Sequence, residues 1–195
     1  MKIVDILKDG AMLLGLELER EILEQVTQEK EIETLAENPN VSSLFNLIKY
    51  SVRELCSNYI PIIANETKTT HEKKYPISSL KNFIRIQNVL QNGQIVKYKI
   101  LNRNLVFEED GDYEINYATY PEISSLFDEI DYLENLSPDV IVLGLCSYYS
   151  LAHGMFEEFE DLHERYVEKA ESLKNLKIFE IPCRRWEWER KKLLK

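Results

Sequence analysis

The first apolar stripe of the chain has helical spacing. Apolar side chains recur every three or four positions from residue 3 to residue 26, which predicts a helix. Gly10 and Gly15 lie inside this stripe and weaken it, so we expect a kink or a break there. Residues 17–37 hold eight acids and two bases, a pattern that is typical of a solvated helix face.

The second stripe is the most regular one in the chain. It follows Asn38, a residue suited to capping a helix, and Pro39, which fits the first helical turn. Pro61 cannot continue a helix and ends the stripe. The polar residues 65–74 that follow show no period, so we expect a loop there.

The period changes to two between residues 83 and 120, which indicates β-strands. Asn92-Gly93 and Asp110-Gly111 are tight-turn signals inside this region. Strands are predicted at 83–90, 95–101, 104–107 and 113–120. Along the last of these, Tyr113, Ile115 and Tyr117 fall on one face. The pattern predicts an antiparallel meander of three or four strands with one face in water.

The last third of the chain returns to helical spacing. Residues 124–136 are acidic with helical character, and Ser137-Pro138 is a start signal for a helix that runs to Leu151. This helix is apolar nearly all round at its start, so we expect it at the centre of the fold. Gly154 is expected to end it, and a last amphipathic helix carries apolar side chains from Met155 to Leu173.

These elements predict an α+β, mainly α fold. The expected helical bundle comprises residues 1–74 and 122–175, with an inserted antiparallel β lobe at 75–121 and an extended C-terminal tail at 176–195. The 195 residues are 44% hydrophobic and 30% charged, which suits one domain with an insertion. The longest apolar run, residues 140–146, is far shorter than the ~20 residues that span a bilayer. No targeting segment is expected.

The charge is distributed unevenly. The formal net charge is −10, which disfavours attraction to free nucleic acid or to an anionic membrane. Residues 184–195, however, hold six bases and two acids, a net +4, so the rest of the chain carries −14. Both tryptophans, Trp186 and Trp188, lie in this basic segment. Tryptophan beside arginine is typical of interface hot spots, so we expect the tail to dock on another copy or on a partner.

Catalytic motifs are absent from the sequence. There is no glycine-rich phosphate loop, no G-x-S-x-G and no C-x-x-C, and the three histidines show no ligand spacing with the cysteines. The three cysteines are odd in number and widely spaced, which excludes a disulfide framework and suggests a reducing compartment. Cys56 and Cys146 lie in apolar helical patterns and are predicted to be buried. We expect no enzyme activity, no cofactor and no metal; a Cys–His nucleophile stays open, since its partners need not be close in sequence.

The order of parts resembles the head-to-tail adaptor (connector) proteins of tailed bacteriophages, both the tail-tubular-protein-A type and the smaller head-completion adaptors. Residues 45–64 resemble a helix that ends in an aromatic-proline stop. Residues 75–122 resemble the family's inserted sheet, with Tyr98, Ile100, Leu105, Ile115 and Tyr117 at matching places. Residues 136–172 resemble the following helix pair, with Leu151, Ala152, Tyr166 and Ala170 at matching places.

The resemblance implies a structural virion protein at the head–tail junction, assembled in the host cytoplasm. Such adaptors form a ring of about a dozen copies beneath the portal protein and extend the DNA channel to the next tail or neck protein. Their C-terminal segment commonly reaches the portal. Genome DNA would pass through the ring without specific binding, and no membrane is involved.

Three groups of residues are assigned on this basis. The portal-binding candidates are Arg184, Arg185, Trp186, Trp188 and Arg190. The candidates for a subunit or tail interface are Tyr98, Tyr113, Tyr117 and Tyr120. The acidic candidates for the channel wall, which would repel the duplex and let it slide, are Asp128, Glu129, Asp131, Glu134, Glu157 and Glu158. The alternatives are a neck or tail-completion protein that binds the adaptor, and a small acidic host binding or inhibitor module.

Overall fold

The computed structural model describes residues 1–70, 72–130 and 137–179, with side chains up to Lys174. The fold is α+β and mainly α, as predicted. The helices are α1 (Ile3–Leu13), α2 (Glu17–Gln25), α3 (Glu31–Glu37), α4 (Pro39–Asn58), α5 (Pro138–Ala152) and α6 (Phe156–Phe179). The strands are β1 (Ile62–Thr69), β2 (Lys74–Pro76), β3 (Phe83–Gln91), β4 (Gln94–Ile95), β5 (Lys99–Leu101), β6 (Asn104–Val106) and β7 (Asp112–Thr119).

The two glycines of the first stripe have different roles. Gly15 has a φ of 68° and lies where the chain turns from α1 into α2, so the predicted break occurs there. Gly10 stays inside α1 and faces α5, where a Cβ atom would stand 2.7 Å from Leu145 Cδ2. Gly10 is therefore a site of close helix packing and does not interrupt the helix.

The core of the helical body lies between α1, α4, α5 and α6. Every residue from Val140 to Ser147 is buried, which confirms α5 as the central helix. The predicted apolar positions of the last helix also face inward, with Leu162, Tyr166 and Ala170 buried. Helix α6 runs to Phe179 and therefore extends beyond residue 175, where the helical body was expected to end.

Asn38 precedes α4 as predicted, but its side chain does not cap that helix. It donates instead from Nδ2 to the Thr34 carbonyl oxygen at 2.8 Å, closing the end of α3. Most acids of residues 17–37 are exposed, as expected of a solvated face. Two acids are exceptions: Glu19 is buried and accepts a hydrogen bond from Asn40 Nδ2 at 2.6 Å, and Glu31 is half-buried and accepts one from the Leu126 amide at 2.6 Å.

The β lobe comprises two antiparallel sheets and begins earlier than predicted. The larger sheet has the order β1-β7-β3-β4 and the smaller one the order β2-β6-β5. The sequential meander is therefore wrong, because β7 returns to lie between β1 and β3. The loop predicted at residues 65–74 is also wrong: most of it belongs to β1 and β2, so the lobe starts at Ile62 and not at residue 75.

The β1 strand escaped prediction because the inward side chains of its second half are polar. Glu66 and Lys68 alternate with the exposed Asn65, Thr67 and Thr69, so hydrophobicity shows no period of two although burial does. The Glu66 carboxylate accepts a hydrogen bond from the Tyr117 hydroxyl and pairs with Lys68 Nζ at 2.6 Å. Polar contacts, one with Tyr117 of β7 and one with Lys68 of β1 itself, therefore take the place of apolar packing in this half of the strand.

Residues 122–130 form a loop, so the predicted helical character of 124–136 is wrong over its described part. The loop pairs with the start of the chain through a bridge between Lys2 and Glu129. The Ile3 amide donates to the Asp128 carbonyl oxygen at 2.9 Å, and the Val4 amide to that of Leu126 at 2.7 Å. These bonds satisfy amides of the first turn of α1, which have no partner inside the helix.

Candidate functional site

A polar cluster lies where α4 crosses the α5–α6 hairpin. Glu54 Oε2 accepts hydrogen bonds from the Tyr148 hydroxyl at 2.5 Å and from the Tyr166 hydroxyl at 2.9 Å. Burial, followed by the nearby Glu54 charge, raises the pKa of Tyr166 above its ordinary value. Burial and the hydrogen bond to Glu54 do the same to the pKa of Tyr148. Both phenols therefore stay protonated and hold the carboxylate in place.

The neighbouring Ser147 and His163 resemble part of a catalytic set but lack its geometry. Ser147 Oγ and His163 Nδ1 share a hydrogen bond at 3.2 Å, and the His163 ring stacks on Phe159 at a centroid distance of 5.0 Å. Ser147 is fully buried, so its hydroxyl is closed to a substrate. The nearby carboxylate of Glu54 binds the two tyrosines. A nucleophile needs an accessible oxygen and a base oriented by a third group, so this cluster is structural.

The two described cysteines are buried, as predicted. Burial raises the pKa of Cys146 to about 12, and its thiol donates to the Gly10 carbonyl oxygen at 3.5 Å. A reactive thiol needs a lowered pKa and access to solvent. Cys56 and Cys146 are both closed to solvent; Cys183 lies outside the described residues.

The prediction that Tyr113 and Tyr117 contact another subunit or tail protein is wrong. Tyr113 is 3% exposed and Tyr117 is 1% exposed, and both belong to the core of the β lobe. The Tyr113 ring stacks on Phe107 at 3.9 Å, and burial raises the pKa of Tyr117 to about 12. Tyr113 and Tyr117 alternate along β7 because they pack into the core of the β lobe. The same alternation would be expected of side chains on an exposed interface, so the sequence alone does not distinguish the two cases.

The other two tyrosines are half-buried. Tyr98 lies between β4 and β5, where the chain passes from the larger sheet to the smaller one. Tyr120 follows β7, and the Arg53 guanidinium of α4 stands 5.1 Å from the centre of its ring. Tyr120 therefore contributes to the junction between the β lobe and the helical body, and Tyr98 packs on the core of the β lobe and is partly exposed.

The acidic channel candidates differ in their surroundings. Glu157 and Glu158 are exposed in the first turn of α6, and Glu129 is exposed in the loop. Asp128 is half-buried and accepts from the amides of Ser124 at 2.7 Å and Ser125 at 2.9 Å. Burial raises the pKa of Asp128, but these hydrogen bonds and the Lys49 charge outweigh it and hold the pKa below its ordinary value.

The remaining assigned residues lie outside the described part of the chain. These are Asp131 and Glu134 of the acidic group and the portal-binding group of Arg184, Arg185, Trp186, Trp188 and Arg190. His71 is also outside it. Their assignments stay predictions.

Two exposed surfaces were missed by the sequence analysis. We define the lobe edge by the exposed residues Ile95, Lys97, Lys99, Ile100, Leu101 and Arg103. We define the helix corner by the exposed residues Asp9, Met12, Leu13, Glu17, Leu18 and Glu21 around the turn between α1 and α2. Each combines large apolar side chains with charges of one sign. A count of charge by short segment would have found the lobe edge, since residues 92–107 hold three bases and no acid.

No protein-family model matches the chain. A search of curated proteins also gives no match. Within the described part of the chain, no group of three or more His, Cys, Asp or Glu side chains is placed to hold a metal ion. None of the described helices is both long enough and apolar enough to cross a bilayer.

Proposed function

We propose that this chain is a head-to-tail adaptor of a tailed bacteriophage. Copies would assemble as a ring beneath the portal protein, extend the DNA channel and receive the next tail or neck protein. The proposal is carried by the order of elements in the fold. A β lobe at 62–119 is inserted between α4 and the α5–α6 hairpin, which is the arrangement expected from the resemblance of residues 45–64, 75–122 and 136–172.

The distribution of polar groups favours a structural role over catalysis. The most extensive polar cluster that we find, around Glu54, is saturated by two tyrosine hydroxyls and joins three helices. Such a network rigidifies a body that must keep its shape under the pressure of a packaged genome. Catalysis by a serine or cysteine would require a side chain that a substrate can reach, and Ser147 and Cys146 are both buried.

The acidic surface suits a channel through which DNA slides. Glu157 and Glu158 are exposed at the start of α6, and Glu129 is exposed in the 122–130 loop. Like charges repel the phosphates, so a wall built from them holds the duplex away from adhesive contacts. Asp128 would hold the shape of this loop through its hydrogen bonds to the Ser124 and Ser125 amides. Because it is half-buried, its carboxylate would face the channel less than that of Glu129.

The basic C-terminal segment would supply the portal contact. Trp186 and Trp188 would anchor in an apolar groove of the portal, and Arg184, Arg185 and Arg190 would orient the approach. The charge of +4 on residues 184–195 is opposite to that of the body, so this segment is suited to a different partner from the channel wall.

In vitro complementation tests the proposal. A phage that carries a stop codon in this gene should yield filled heads and free tails that do not join. Addition of the purified chain to that lysate should restore infectious particles, whereas a variant lacking residues 183–195 should not. Tailed infectious particles formed without the chain would overturn the proposal.

A further inference from the structure

The lobe edge is an open strand with exposed apolar and basic side chains. β5 is the outer strand of the β2-β6-β5 sheet, so one row of its backbone groups has no partner strand among the described ones. Ile95, Ile100 and Leu101 are 76%, 54% and 56% exposed. Lys97 and Lys99 form no ion pair with any described residue. Natural sheets protect such edges from pairing with other chains by placing charged residues on them. Here large apolar side chains also remain exposed, which is typical of a strand that binds a partner.

The helix corner has the opposite charge. Met12, Leu13 and Leu18 are 59%, 48% and 65% exposed around the turn at Gly15. The acids Asp9, Glu17 and Glu21 stand within one helical turn of them and, in the described part of the chain, form no ion pair. The neighbouring bases are already engaged: Lys8 pairs with Asp5 at 3.6 Å, and Arg20 with Glu24 at 3.1 Å. The corner is therefore an apolar patch with uncompensated negative charge.

The two surfaces lie at opposite ends of the molecule. The β lobe joins the helical body at the C-terminal end of α4, where the Arg53 guanidinium stands 5.1 Å from the centre of the Tyr120 ring. The helix corner lies near the other end of α4, where Glu19 of α2 accepts a hydrogen bond from Asn40, about 20 Å from Arg53 at 1.5 Å per residue. Ile84 of β3 packs on the body, whereas Ile95 lies beyond the far end of that strand, about 20 Å further out at 3.3 Å per residue. One copy therefore cannot join its own two surfaces.

We propose that the lobe edge of one copy docks on the helix corner of a second copy. Each surface offers exposed aliphatic side chains, and the basic charges of one meet the acidic charges of the other. Because the surfaces differ and lie at opposite ends, the contact is heterologous, and repetition of it closes a ring or extends a filament. The ring outcome rests on the proposed adaptor function; the pairing of the surfaces is argued from the charges and exposures alone.

Charge reversal on either surface tests the contact. The edge variant carries Lys97→Glu and Lys99→Glu, and the corner variant carries Glu17→Lys and Glu21→Lys. The parent chain should associate as its concentration rises in low salt, as measured by sedimentation velocity. Each variant should weaken that association by tenfold or more, because like charges would then face each other at a cost of more than ~1.4 kcal/mol. All four positions are exposed, and circular dichroism checks that each variant folds.

An equimolar mixture of the two variants tests most directly whether the two surfaces bind each other. The reversed edge is acidic and the reversed corner is basic, so the two variants should associate with each other although neither associates with itself. A matched control, Glu164→Lys with Glu168→Lys, reverses two exposed acids of α6 outside both surfaces and should leave association unchanged. In a mixture of ¹⁴N- and ¹⁵N-labelled parent chains, a carbodiimide should couple Lys97 or Lys99 to Glu17 or Glu21 between copies.

The outcomes separate this inference from the proposed function. A parent chain that stays monomeric up to millimolar concentration, or a mixture that does not associate, overturns the inference. Portal binding by that same chain would leave the adaptor proposal standing. Restored association in the mixture, together with failure of the chain to join portal or head particles, would support the inference and overturn the adaptor proposal.

Discussion

Glu54 of α4 accepts a hydrogen bond from the Tyr166 hydroxyl of α6 at 2.9 Å, in the interior of the helical body. Tyr166 is fully buried, and no other hydrogen bond of its hydroxyl is found among the described residues. The same carboxylate oxygen also accepts from Tyr148 on α5, so one side chain joins three helices. The stability of the body therefore depends on Glu54 more than on either tyrosine hydroxyl.

Removal of the Glu54 carboxylate should cost more stability than removal of one phenol. We expect Glu54→Ala to lower the free energy of unfolding by about 2–3 kcal/mol, because it leaves two hydroxyls without a partner. Tyr166→Phe should cost about 1 kcal/mol, since Glu54 keeps Tyr148. Urea denaturation measures both, with the exposed Glu164→Ala as a control near zero. A larger loss for Tyr166→Phe would contradict this account of the cluster.

Gly144 and Ser51 should be energetically coupled. A Cβ atom on Gly144 would stand 2.2 Å from Ser51 Oγ and 2.9 Å from Tyr166 Cε2. We expect Gly144→Ala to destabilise the protein by about 1–3 kcal/mol, despite the better helix propensity of alanine. Ser51→Ala removes a buried hydroxyl that has no described hydrogen-bond partner, so it should be neutral or stabilising.

The double variant gives the coupling between these two sites. Ser51→Ala should recover part of the loss caused by Gly144→Ala, because it removes the closer of the two contacts. A double-mutant cycle from denaturation curves measures this interaction. Strict additivity of the two changes would mean that the α4–α5 crossing is looser than these distances imply.

Glu66 should make the stability of the β lobe depend on pH. Its pair with Lys68, followed by the hydrogen bond from Tyr117, holds the pKa of Glu66 below its ordinary value. A carboxyl group whose pKa is lowered by folding stabilises the protein above its unfolded pKa, and that contribution is lost as the pH falls through the folded pKa. We therefore expect Glu66→Gln to be less stable than the parent at neutral pH and to lose less stability on acidification.

Thermal or urea unfolding across a pH series measures this difference. The parent and Glu66→Gln curves should converge as the pH falls below the ordinary range for glutamate. Glu108→Gln, which removes an exposed carboxylate elsewhere in the β lobe, controls for the altered charge. Parallel curves for the parent and Glu66→Gln would show that the Lys68 and Tyr117 contacts contribute no pH-dependent stability.

Reversal of the acids at the start of α6 should slow genome ejection. Under the adaptor proposal, Glu157→Lys with Glu158→Lys would place cations on the channel wall, where they attract phosphates and retard sliding. The rate of DNA release from assembled particles, followed with an intercalating dye, should fall and should recover at higher salt. Glu108→Lys with Glu109→Lys, exposed on the lobe loop, is the matched control. Equal ejection rates for the parent and the α6 variant would place these acids outside the channel.

The helices were predictable because their signals are local. Pro39 and Pro138 mark the starts of α4 and α5, and the apolar spacing from Val41 to Leu55 describes the buried face of α4. The type I′ turn at Asn92-Gly93 was also readable, since both residues adopt positive φ. These features depend on neighbours in sequence and need no knowledge of the tertiary fold.

What could not be predicted depends on partners distant in sequence. β1 is stabilised by polar contacts to β7, about fifty residues later, so its own pattern carries no signal. Tyr113 and Tyr117 alternate as expected, yet only the second layer formed by the smaller sheet and Phe107 decides that they face inward. The lobe edge is a further case, because exposure of Ile100 and Leu101 follows from the position of β5 as an outer strand.

Mass photometry of the purified chain mixed with the portal ring from the same genome tests the central claim most directly. The adaptor account predicts a discrete gain in portal mass of about a dozen copies of the 23.0 kDa chain, lost on deletion of residues 183–195. The truncated chain should keep the cooperative unfolding transition of the parent, because every described helix and strand ends before residue 183. An unchanged portal mass at micromolar chain concentration, with binding to a tail or neck protein instead, would contradict the account.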